Sequence, residues 1–327
     1  MNSARQPIQE KREALSYATE RGVSQRRACS LLKIGRSTAR YQSLERDDTQ
    51  LLQRIQAVHT KAPRFGVRRV DKQLQRERKK QEKKGLPVPE PVNRKRIQRV
   101  MRQNGLLVRK THRKKTIRTG ATIPCKAEYP NHVWTLDFQD DALTGGKKVK
   151  ILNILDEFTR EWLEVVAGAS TSAALVMRTL LPLFARRGTP EFLRSDNGGE
   201  FIAGELKQLL EEAGVSSYFI DPGSPWQNGF IESFHSHLRD ELLNREAFAT
   251  LTEVRHRLAS HRHWYNQERI HSSLDYITPE ECCQLWHEQN QEHQNQNDTE
   301  HKTEKKKEAA SPPDELEAIT GEMTTED

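Results

Sequence analysis

The 327-residue chain holds only four cysteines, Cys29, Cys125, Cys282 and Cys283, and no two of them stand in a CxxC spacing. That excludes a disulfide framework and gives no support to a cysteine zinc site. Nowhere do about 18 apolar residues run together, and Met1 to Lys11 has no apolar stretch of the kind an export signal needs. Membrane insertion and secretion are therefore not expected, and a reducing cytoplasm is the simplest compartment. No tandem repeat of solenoid period is present either.

Charge is abundant but unevenly placed. The net charge is +7 over the whole chain. Residues 1 to 130 carry 34 Lys and Arg against 11 Asp and Glu, a net of +23, which leaves −16 for the remainder. A front third this basic is an electrostatic footprint for a polyanion, nucleic acid above all, with binding that weakens steeply in salt.

Within that basic region the pattern is helical. Glu13 to Glu20 reads as a helix stopped by Gly22, Ser24 caps a second helix through Leu32, and Gly35 turns into Arg36-Ser37-Thr38-Ala39-Arg40-Tyr41. This is the rhythm of a helix-turn-helix, with Ala28, Leu31, Leu32 and Ile34 as core and Arg36, Ser37, Thr38 and Arg40 presented to a DNA groove. A second basic unit, 49–118, has helices at Leu51 to Ile55, Gly66 to Gln81 and, capped by Asn93, Arg94 to Gln103. Val67, Val70 and Leu74 line one face of the middle helix, and Lys79 to Pro91 reads as a wing or linker. Arg68, Arg69, Arg94, Arg96, Lys110, Arg113 and Lys114 are its candidate DNA contacts. Residues 119–130 read as a linker.

From 131 onward the pattern changes. Val133 to Phe138, Val149 to Leu155 and Trp162 to Val166 look like three successive strands; a helix from Ser172 to Arg187, a strand at Glu191 to Arg194, a helix from about Gly199 to Ala213 and a strand at Ser216 to Ile220 follow. That order predicts an α/β domain over 131–245, a mixed sheet flanked by helices, preceded by all-α DNA-binding units. A helical extension over 246–287 and a polar tail with no apolar periodicity over 288–327 complete the chain.

Three acids stand where chains expose chemistry. Asp137 interrupts an apolar strand, Asp196 ends another and opens an Asn-Gly-Gly turn, and Glu232 lies in a helix that follows a Gly/Pro-rich loop. An Asp-Asn-Gly turn alone is ordinary, but crowded carboxylates must protonate, pair with cations or hold metal. All-oxygen ligands suit Mg²⁺ or Mn²⁺, and two such ions are the apparatus of in-line phosphoryl transfer. Asp140 and Asp141 could stand in for Asp137. Asp156 and Arg160 share the second-to-third strand turn, as an ion pair or as a substrate contact.

The motifs Trp134-Thr135-Leu136-Asp137-Phe138, Ser195-Asp196-Asn197-Gly198-Gly199-Glu200-Phe201, Gln227-Asn228-Gly229-Phe230-Ile231-Glu232-Ser233-Phe234 and Tyr265-Asn266-Gln267-Glu268-Arg269 with His271-Ser272-Ser273-Leu274 carry a resemblance. Over roughly residues 15 to 286 the chain resembles the integrase-core transposases of bacterial insertion sequences, of the OrfB type of the insertion-sequence-three family, and more distantly retroviral integrases. The resemblance implies a ribonuclease-H-like core in which Asp137, Asp196 and Glu232 are the catalytic metal ligands for Mg²⁺ or Mn²⁺, two ions in all. It also implies binding and joining of double-stranded DNA, a homo-oligomer on that DNA, and a bacterial cytoplasmic, nucleoid-associated protein. An upstream-frame OrfA-type partner or fusion stays open. The family carries a basic residue seven positions after the glutamate, here Arg239, which shares a helix face with Glu232 and would hold a phosphate, an ion pair with Asp240 or Glu241 being the alternative. Asn197, Gln227 and Asn228 join the candidate DNA contacts. The family's usual Pro before the His of the last motif is replaced by Ile270. The His-His-Cys-Cys spacing of a retroviral integrase amino-terminal domain is absent, which disfavours zinc at His235, His237, His261 and His263.

Overall fold

The computed structural model describes residues 8–41, 47–108, 125–220 and 225–291. The chain divides into two compact units after Leu52. In the first, α1 (Ile8–Glu20), α2 (Gln25–Leu31) and α3 (Arg36–Arg40) follow one another. Leu15, Ala28, Cys29 and Ile34 form their small core. Leu31 was expected inside but is 71% exposed, and Cys29 fills that place. A seven-residue helix turns only one narrow face inward, and Ala28 and Cys29 occupy it.

In the second unit lie most of α4 (Thr49–Lys61), α5 (Val67–Lys83) and α6 (Arg94–Gln103). Asn93 caps α6 by accepting the Lys95 amide, as its position suggests. Helix α5 runs through Lys79 to Lys83, part of the segment expected to be linker, because nothing in that charged run breaks a helix before Gly85. These helices share their compact unit with the sheet that follows, although they read in sequence as a unit of their own.

The sheet has five strands in the order β3-β2-β1-β4-β5: β1 (Val133–Ala142), β2 (Lys148–Asp156), β3 (Trp162–Gly168), β4 (Phe192–Ser195) and β5 (Ser216–Phe219). The first three meander antiparallel, and β4 and β5 join parallel to β1. This mixed sheet flanked by helices is the expected ribonuclease-H-like arrangement. Strand pleating sends Trp134 and Leu136 to one face, against α7 (Ala173–Arg187), α8 (Gly199–Ile202) and α9 (Gly204–Glu212). The predicted single helix 199–213 is broken at Ala203, whose φ of −56° and ψ of 135° are extended.

Against the other face pack α10 (Gly229–Leu238) and α11 (Leu251–Gln267), burying Ile231, Phe234, Leu238 and Tyr265 on Val149, Ile151 and Trp162. Asn266 pins β3 by exchanging hydrogen bonds with both backbone groups of Trp162, at 2.9 and 3.0 Å. Arg269 is buried and bidentate to Glu241 at 2.8 Å, which ties the end of α11 to the π turn Arg239–Leu243 after α10. The chain is helical again over 279–291, slightly beyond the expected start of the polar tail at 288. No described helix is long and apolar enough to cross a membrane.

Candidate active site

Asp137 sits on β1, on the face opposite Trp134 and Leu136 and beneath α10. Polar side chains line that strip and hold α10 in register. Thr135 donates to Asn228 at 2.8 Å, Gln139 donates to the carbonyl of His235 at 3.1 Å, and Asn153 meets His235 Nε2 at 3.1 Å. The other ring nitrogen, Nδ1, faces Asp137 Oδ2 at 3.7 Å. Burial, with Arg239 nearby, lowers the His235 pKa to about 4, so the ring faces Asp137 without charge.

Asp196 follows β4 directly, and its Oδ1 accepts the Gly198 amide at 3.0 Å. The residue that aims β4 is Arg194, fully buried. It donates to the carbonyls of Gln227 at 2.9 Å and Cys125 at 2.7 Å and lies 3.4 Å from Glu157. Burial outweighs Arg194 and Arg160 and pushes the Glu157 pKa up to about 7. Glu232 projects from the first turn of α10 and is exposed.

Asp196, Glu232 and Glu200 each lie within electrostatic reach of Asp137. Asp137 is pushed up to about 7, first by burial and then by Asp196, with Glu232 and Glu200 adding to the rise. Glu200 was not singled out from the sequence, although it stands within the Ser195-to-Phe201 motif; only its return towards Asp137 through α8 shows the proximity. Among the described residues no three His, Cys, Asp or Glu side chains form a closed metal cage. The donor set nevertheless fits a hard divalent cation: all oxygen, half-buried at Asp137, and mutually repulsive without one. Asp140, the alternative to Asp137, pairs instead with Lys150.

Gly198 lies close to two of the carboxylates. A Cβ there would meet Asp196 Oδ1 at 3.0 Å and Glu200 Cδ at 3.1 Å. Gly198→Ala should therefore displace the Asp196 carboxylate and slow turnover about 10- to 100-fold, with little change in melting temperature. Unchanged turnover would show that the carboxylate is free to move.

The other predicted residues divide. Arg36, Ser37, Thr38 and Arg40 are exposed, with Arg40 hydrogen-bonded to Gln25. Arg68 and Arg94 are exposed and Arg96 half-buried. Arg69 is turned towards the core, donating to Ser272 at 3.2 Å. Gln227 and Asn228 are buried at 5% and 4% exposure, a correction to their expected place on the DNA surface: in this fold Asn228 holds Thr135, and the Gln227 carbonyl holds Arg194. Asn197 is exposed and ties the turn to the Ile220 carbonyl at 2.7 Å. Arg239 donates to the Asp140 carbonyl, while Asp240 and Glu241 pair with Arg64 and Arg269. Asp156 fixes its turn by accepting the amides of Asn131, Phe158 and Thr159. Lys110, Arg113 and Lys114 lie outside the described residues.

The mixed sheet carries Asp137 on β1 and Asp196 after β4, with Glu232 on α10, and the family matches define the class as a polynucleotidyl transferase. Residues 127–225 and 213–279 match models described as integrase core domain, and 45–115 match an HTH-like domain. An uncharacterized 31.7 kDa protein of insertion element IS407 from Burkholderia multivorans is 35% identical over 79% of this chain and 90% of its own length. Transposase InsD of insertion element IS2 from Escherichia coli is 29% identical over 72% of this chain and 78% of its own length. The catalytic core domain of BIV integrase is 23% identical, with a TM-score of 0.38, over 50% of this chain and 98% of that one. The chain belongs to the integrase-core transposases of bacterial insertion sequences, with an HTH-like DNA-binding domain ahead of the core.

The buried ionisable groups make acid stability a direct check on this packing. Burial holds His235, His237 and His261 near pKa 4 and His271 well below 6.5. Below about pH 6.5 the unfolded chain protonates these four and the fold does not. Asp137 and Glu157 act oppositely, keeping protons in the fold up to about 7 that the unfolded chain has already lost. Between pH 6.5 and 4.5 the unfolded state therefore binds about two more protons from these six groups, and stability should fall as pH falls. Urea melts at the two limits measure it; a midpoint that rises on acidification would contradict the assignment.

Proposed function

We propose that this transposase binds the terminal inverted repeats of its element and cuts and joins DNA strands at Asp137, Asp196 and Glu232. The observation that carries the reading is that Asp137, raised to about 7 first by burial, also feels the charges of Asp196 and Glu232 from two other elements. The same three residues would hold Mg²⁺ or Mn²⁺, two ions in all, and when bound the ions supply activation of the attacking oxygen and relief of charge on the phosphate. His235 keeps a neutral ring against Asp137 and orients it. Gly198 leaves room for the Asp196 carboxylate. Arg239, whose charge is felt at His235, would meet a strand phosphate beside the acids.

Arg36, Ser37, Thr38 and Arg40 of α3, with Arg68, Arg94 and Arg96 of the 49–118 region, are the proposed DNA contacts, extended by Lys110, Arg113, Lys114 and Asn197. Handling two element ends together requires an oligomer on DNA, with or without an upstream-frame OrfA-type partner. The reading is tested with labelled repeat ends in Mg²⁺. Joined products support it. Hydrolysed products alone would favour a nuclease of this fold, and no metal-stimulated cleavage would leave a DNA-binding regulator.

A further inference from the structure

A cavity of about 380 Å³ opens beside α10 at Ser233 and His237. These residues are turned by roughly 100 to 140° around the helix from Glu232, and none of Asp137, Asp196 and Glu232 lines the cavity. Its wall gathers arginines from three separate segments: Arg69 of α5, Arg160 of the β2–β3 turn and Arg269 after α11. Arg269 is already satisfied by Glu241. The other two are not committed to an acid by a hydrogen bond.

Arg160 is the most telling. Its backbone is held at φ 63°, in the left-handed region, and its guanidinium lies 3.7 Å over the Phe230 ring. Its Nη1 is buried without a hydrogen-bond partner among the described residues. A buried charged donor without an acceptor is costly, and strained backbone of this kind persists where the surroundings enforce it. Of the two acids in the same wall, Asp156 accepts three backbone amides, and Glu157 stands 3.4 Å from Arg194 while also within charge reach of Arg160, without a hydrogen bond to it. Arg69 donates to the neutral hydroxyl of Ser272, which with Ser273 forms an exposed rim. The first residues of α10, Gly229 and Phe230, also line the cavity, and Asn228 before them gives its side-chain oxygen to Thr135. The positive end of the helix thus adds to the arginines.

We propose that this cavity is a phosphate-binding site, in which Arg160 and Arg69 hold a phosphate mono- or diester with the hydroxyls of Ser272 and Ser273 beside it. The planar guanidinium fork suits phosphate oxygens. Two sources carry this chemistry, the backbone of a DNA strand and a free phosphate or nucleotide.

The test uses the full chain in EDTA, so that it is independent of metal chemistry and of the catalytic reading. Binding of inorganic phosphate is followed by phosphorus NMR at constant ionic strength, and binding of a labelled duplex by anisotropy. Wild type should bind phosphate saturably, with roughly tenfold or more weaker binding in Arg160→Gln and in Arg69→Gln, and partial recovery in Arg160→Lys. Parallel loss of duplex affinity assigns the strand backbone as the source; loss of phosphate binding alone assigns a free phosphate. Circular dichroism verifies folding, and Arg69→Gln, at the mouth, carries the test if Arg160→Gln does not fold. No saturable phosphate binding in wild type, or unchanged affinity in the folded variants, overturns the proposal.

Discussion

Asp196→Asn and Glu232→Gln should each lower strand transfer on the order of a thousandfold or more in Mg²⁺, while leaving binding to element ends within about threefold, since the basic helices supply that affinity. Both changes keep side-chain volume and remove one negative charge, so they isolate electrostatics from packing. Both residues are exposed, so folding should survive. Asn at 196 should also release Asp137 from its second-largest perturbation after burial. A quench-flow or gel time course against wild type measures the loss, and activity retained in both variants would remove the acids from the chemistry.

Arg269→Ala should destabilise the fold by about 3 to 5 kcal/mol. The guanidinium and its partner Glu241 are 1% and 0% exposed, with two hydrogen bonds of 2.8 Å between them. Removing Arg269 leaves Glu241 buried and charged without its partner. Replacing both by apolar residues of similar volume should recover much of the loss, because burying ions is itself costly. Against a total stability of typically about 5 to 15 kcal/mol, the single change approaches unfolding at working temperature. Urea denaturation checks it; a loss below about 1 kcal/mol would mean that Glu241 finds water or another cation.

Much of the core was legible because its signals are local. Trp134 and Leu136 alternate with Thr135 and Asp137, so the sequence pattern already places Asp137 opposite the apolar face that packs on α7. Asn93 caps α6 by accepting a nearby amide as expected, whereas Ser24 stands at the start of α2 without a side-chain cap hydrogen bond. What escaped was long-range or depended on exact helix phase. Leu31 looks like core by composition, yet the short α2 turns it outward. Arg269 and Glu241 are separated by 28 positions with no pattern joining them. Gln227 and Asn228 stand beside Glu232 in a motif rich in polar residues, which suggests contact with DNA; only the sheet beneath α10 shows that they face inward. Arg69 is one arginine among many in a basic helix, and its inward turn follows from the docking of α5 near Ser272, which a single-helix reading cannot supply.

Docking of the second basic region uses the same charge asymmetry that predicted DNA binding. Lys61 pairs with Glu268 at 2.6 Å, Arg64 with Asp240 at 3.0 Å and Arg76 with Glu281, so part of the positive charge before residue 130 is met by acids after it. Arg68 and Arg94, by contrast, are exposed.

The most direct measurement for the central claim is a crystal of the protein grown in Mn²⁺ and examined by anomalous scattering. The carboxylates of Asp137, Asp196 and Glu232 should close around the anomalous peaks, and Asp196→Asn should weaken or abolish them. Mn²⁺ bound elsewhere, or three carboxylates that remain apart in saturating metal, would contradict the account.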